Sequence, residues 1–107
     1  MGIVLLILAS CSHSVTIGES FILQEGETVR VKGTELTIEV EQVIEGREGS
    51  QRIGDGSVTL WVAVEGEDET ELYLEAGEWA RIGGYEIRFE RVVSDLEGAR
   101  CELIVSQ

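Results

Sequence analysis

Apolar and polar residues alternate along most of this chain, in short runs punctuated by glycine. Val29 and Val31 flank Arg30. Leu36, Ile38 and Val40 alternate with Thr37 and Glu39. Val58, Leu60, Val62 and Val64 alternate with Thr59, Trp61 and Ala63. A period of two belongs to a strand with one buried face. No stretch sustains a helical period, and there is no proline. The pattern predicts an all-β fold: an antiparallel, eight-stranded sandwich, Ig-like in the loose architectural sense.

The same order of features occurs twice. Phe21-Ile22-Leu23-Gln24-Glu25-Gly26-Glu27 matches Leu72-Tyr73-Leu74-Glu75-Ala76-Gly77-Glu78. Val29-Arg30-Val31 then matches Ala80-Arg81-Ile82. After a two-residue gap, Leu36 to Ile44 matches Tyr85 to Val93. Val58, Leu60, Val62 and Val64 match Ala99, Cys101, Leu103 and Val105. The chain therefore reads as two pseudo-repeated halves of four strands each. Both halves break phase at one place, since Val43 and Val92 each fall one residue late. That predicts a shared β-bulge. A bend there would let one long strand serve both sheets, as at sandwich corners.

Gly26 and Gly77 are expected at tight turns that need a positive φ. Gly33-Thr34, Gly83-Gly84 and Asp55-Gly56 mark further turns. Pairing Glu65 with Glu71 would set Val64 opposite Leu72 and Val62 opposite Leu74, all on one face. Trp61, Tyr73 and Trp79 would then point outward. Exposed aromatics mark binding surfaces, so these three form a candidate partner or glycan surface.

Composition narrows the picture. The sequence has 107 residues, enough for one domain with a real core, and a formal net charge of −13. Such a charge repels nucleic-acid phosphates and anionic lipid headgroups, so no nucleic-acid partner is expected. Lys32 is the only lysine.

The N-terminus changes the picture most. An apolar run from Ile3 to Leu8 ends in Leu8-Ala9-Ser10-Cys11. This stretch resembles the lipobox of bacterial lipoproteins: an aliphatic residue, two small ones, then the cysteine that carries lipid. The run is far shorter than the roughly 18–20 residues of a spanning helix. Basic residues usually precede such a run, and none does here. The resemblance implies that residues 1–10 are a short signal peptide and that Cys11 is the lipid attachment site. Residues 11–19 would then be a lipidated tether, and 20–107 the β domain. The chain would be held on the extracytoplasmic side, at the outer membrane or the outer face of the cytoplasmic membrane. Ser12 after the cysteine is compatible with outer-membrane delivery.

Catalytic chemistry finds little purchase. The only histidine, His13, lies in the tether, away from any nucleophile in the domain. Cys101 alternates with Arg100 and Glu102 on an apolar face and reads as a buried small hydrophobe. Glu65, Glu67, Asp68, Glu69 and Glu71 crowd one hairpin tip. Oxygen ligands of this kind suit Ca²⁺, although the spacing fits no known calcium loop. The expectation is a protein that is not an enzyme and needs no cofactor. It would be an envelope interaction or structural module with a protein partner. The alternative is a small-ligand binder for glycan or Ca²⁺.

Overall fold

The computed structural model describes residues 13–46, 55–96 and 98–107, and the molecule is all-β. Its strands are β1 (His13–Val15), β2 (Ser20–Gln24), β3 (Thr28–Val31), β4 (Leu36–Glu45), β5 (Gly56–Val64), β6 (Thr70–Glu75), β7 (Trp79–Ile82), β8 (Tyr85–Asp95) and β9 (Gly98–Ser106). A five-stranded sheet A runs β1-β3-β4-β5-β6, and a four-stranded sheet B runs β2-β9-β8-β7.

The alternation decides which side chains meet. Leu36, Ile38, Val40, Leu60 and Val62 of sheet A face Ile87, Phe89, Leu103 and Val105 of sheet B, all fully buried in one core. Burying a side chain of this size contributes about 1.5–3 kcal/mol. The burial pattern of β4, with Leu36, Ile38, Val40 and Val43 inside, records the late Val43 directly.

The expected bulge is present. The β4–β5 register shifts between Val40 and Gln42, and the β8–β9 register shifts between Phe89 and Arg91. The bulged strands do not cross between sheets, however. Strand β4 pairs with β5 on both sides of its bulge, and β8 with β9 likewise. The crossing is made at the Gly-Glu turns. Gly26 N–H donates to the Val40 carbonyl at 2.8 Å, and Val40 N–H donates to the Glu27 carbonyl at 3.0 Å. In the other half, Gly77 N–H donates to the Phe89 carbonyl at 2.7 Å, and Phe89 N–H to the Glu78 carbonyl at 2.9 Å. The bulge is thus where a turn docks. The turns match in detail: the Glu27 carboxylate accepts from Gln24 N–H at 2.8 Å, and the Glu78 carboxylate from Glu75 N–H at 2.7 Å. Gly26 and Gly77 have φ of 86° and 92°.

Two expectations are corrected. The eight predicted strands are nine among the described residues, because the segment expected to be a loose tether contains β1. That strand pairs with β3 in parallel, His13 opposite Val29 and Val15 opposite Val31. Val15 and Ile17 pack against the core. Two apolar residues in a short polar stretch are too few to show a period, yet enough to seal an edge. The β5–β6 register also differs. Val62 lies opposite Thr70, Leu60 opposite Leu72 and Val58 opposite Leu74. The expected and observed pairings keep the same side chains inside, so alternation alone cannot choose between them.

Candidate functional site

The outer face of sheet A is built in rows by the strand register. Thr28, Glu39, Trp61 and Glu71 form one row; Gln42, Thr59 and Tyr73 the next; Ile44, Ser57 and Glu75 a third. Trp61 and Tyr73 both lie on this face. They are diagonal neighbours, because Trp61 sits opposite Glu71 and Tyr73 is two residues further along β6. Tyr73 is 62% exposed, and Ile44 is 47% exposed. Trp61 is half-buried, so it is less open than the alternation suggested. Its register neighbours on either side are Glu39 and Glu71, which gives an aromatic centre with an acidic rim. Beside Tyr73 is a depression of about 550 Å³, bordered by Ile44, Asp55, Ser57 and Glu75.

Trp79 does not join this patch. It lies on β7 of sheet B, opposite Arg88, and is 52% exposed. The three aromatics therefore divide between the outer faces of two sheets. The outer face of sheet B also collects arginines, which sequence reading missed. The register aligns Arg81 with Glu86, Arg88 with Trp79 and Ile104, Arg91 with Glu102 and Ile22, and Arg100 with Gln24. Arg91 pairs with Glu102 at 2.7 Å, Arg88 with Glu86 at 3.8 Å, and Arg100 with Asp95. The signal was present, since these arginines occupy the outward phase of the second half.

The acidic tip is an open hairpin. Glu65, Glu67, Asp68, Glu69 and Glu71 are exposed. Glu65 lies 3.9 Å from Arg30 across the sheet. Among the described residues no three His, Cys, Asp or Glu side chains converge in a way that could hold a metal ion. Cys101 is a fully buried free thiol. Loss of solvation on burial pushes it up to about 12, with backbone hydrogen bonding at Leu23 acting the other way. A thiol so held is neutral and unreactive at ordinary pH.

Leu8-Ala9-Ser10-Cys11 lies outside the described residues. Among those described, no helix is long and apolar enough to cross a membrane. Comparison with protein-family models, with curated proteins and with solved structures finds no match to this chain.

Proposed function

We propose that this chain is a non-catalytic interaction module of the cell envelope, held on a membrane by lipid on Cys11. Its scaffold is read as a sandwich of two pseudo-repeated halves, Ig-like only in architecture. The repeated turn hydrogen bonds and the paired bulges support that reading. The observation that carries the function is the Trp61–Tyr73 pair on the outer face of sheet A. An amphipathic ring left this open, beside a half-buried one and rimmed by carboxylates, suits a contact with one dry and one wet side.

The test has two arms. Tyr73→Ala and Trp61→Ala together should reduce capture of an envelope partner at least about tenfold, the cost of losing one modest hot spot. The far-ultraviolet circular dichroism should be unchanged. Capture undiminished by the double substitution would sink the surface. The intact mass of protein taken from membranes should show an acylated chain beginning at Cys11, and an unmodified thiol there would remove the anchor.

A second reading is favoured by the depression beside Tyr73. Its Ser57, Asp55 and Glu75 border an exposed ring, the kind of lining that holds a sugar hydroxyl against an aromatic face. Quenching of tyrosine and tryptophan emission by oligosaccharide, lost in Tyr73→Ala, would support it.

A further inference from the structure

We propose that the free edge of β7 is a strand-acceptor site. It would take an extended segment of a partner protein, parallel to β7, with apolar residues at alternate positions. This deepens the interaction-module reading and rests on it.

The molecule itself shows what fills such an edge. Strand β3 would be an edge of sheet A, but β1 covers it in parallel, and Lys32 N–H donates to the Val15 carbonyl at 2.8 Å. Strand β7 holds the matching place in sheet B, as its last strand, and no described strand pairs with its outer side. The backbone alternation leaves β7 ready to pair. Phe89 N–H of β8 reaches the Glu78 carbonyl at 2.9 Å, and Ala80 and Ile82 follow in the same phase. The N–H and C=O groups of Trp79 and Arg81 therefore point away from β8, toward the open edge.

Burial makes the same contrast. Val29 and Val31 of β3 and Leu36 at the start of β4 are completely buried. Their counterparts Ala80, Ile82 and Tyr85 face the core yet are only half-buried. In the first half Val15, opposite Val31, and Ile17 add to the packing against the core. In the alignment that matches Phe21 with Leu72, those two positions become Gly66 and Asp68. They fall in the hairpin tip, where Gly66 takes a φ of 86°. A charged turn cannot lie in an apolar seam, so no described residue takes the place of β1 at the second edge.

The chemistry of the occupant follows from β1. It needs small β-branched residues at the inward positions, as at Val15. Arg81, exposed on the outer side, favours an acidic residue between them. A second copy fits less well. Symmetric pairing of two β7 strands is antiparallel, whereas the filled seat is parallel, and a charge of −13 on each chain opposes association.

The test uses the full chain, labelled with ¹⁵N, and a synthetic hexapeptide of the β1 sequence, His-Ser-Val-Thr-Ile-Gly. At millimolar peptide, the Trp79, Arg81 and Gly83 amides should shift, and Arg81 exchange should slow about tenfold. A peptide with proline in place of the valine should do neither. Arg81→Pro, tolerable at a sheet edge, should abolish the effect at unchanged unfolding midpoint. Shifts confined to Trp61 and Tyr73 would overturn the edge proposal while leaving the interaction module standing. A protected Arg81 amide before peptide is added, in a dimer, would overturn it by showing a second copy in the seat.

Discussion

Gly56 shows how tightly one position can be specified. It opens β5 with φ of 149°, and a Cβ there would collide with the Ile44 carbonyl oxygen and come within 2.7 Å of Val92 Cγ2. One contact is backbone and the other is core, so neither yields cheaply. Gly56→Ala should destabilise by more than about 2 kcal/mol, read as a lower denaturant midpoint at unchanged slope. Sequence showed Asp55-Gly56 as a turn signal but not the reason for glycine, because the clash comes from the neighbouring strand β4, where Glu45 lies opposite Gly56 and Ile44 opposite Ser57. Cys101 was legible at this scale, since alternation alone put it inside. Its thiol titrates near 9 when unfolded and near 12 when folded. The folded state therefore keeps a proton that the unfolded chain loses. Stability is unaffected by this group below about 9 and falls as pH rises from 9 toward 12, by up to about 1.4 kcal/mol per pH unit. Cys101→Ala should flatten that decline relative to the parent, and a decline equally steep in the variant would show the thiol does not cause it.

At the scale of elements, the two Gly-Glu turns should behave alike. Nothing lies within 4 Å of a Cβ at Gly26 or Gly77, so only the positive φ opposes a side chain. Gly26→Ala and Gly77→Ala should each cost about 1 kcal/mol, and by similar amounts. A cost at one turn and none at the other would argue against equivalent roles. Strands, turns and bulges were readable because each rests on local chemistry: alternation, glycine, and a phase break. The β5–β6 register was not, because pairings that preserve the faces look alike in sequence. In the observed register the last β5–β6 pair is Val62 with Thr70, and beyond it Glu65 N–H donates to the Glu35 carbonyl at 3.1 Å, a nonlocal partner on the β4 side. Strand β1 was missed for a similar reason, since its partner β3 is the half-matched edge and not its sequence neighbour.

For the whole molecule, charge is uneven. The outer face of sheet A carries Glu39, Glu71 and Glu75, whereas Arg81, Arg88, Arg91 and Arg100 gather on sheet B. The net charge remains −13. Self-repulsion of that size should be relieved by screening, so the thermal midpoint should rise as salt goes from about 0.01 to 0.15 M, where the Debye length shrinks from roughly 30 to 8 Å. A midpoint that falls with salt would mean that the arginine–carboxylate pairs outweigh the repulsion.

The proposal on which the account turns is that two matching edges differ, one paired with β1 and one with no described strand on its outer side. Amide hydrogen exchange on the unliganded chain reads both at once. Lys32, bonded to Val15, should be strongly protected, and Arg81 should exchange at close to the rate of an unstructured peptide. Equal protection at both amides would contradict it.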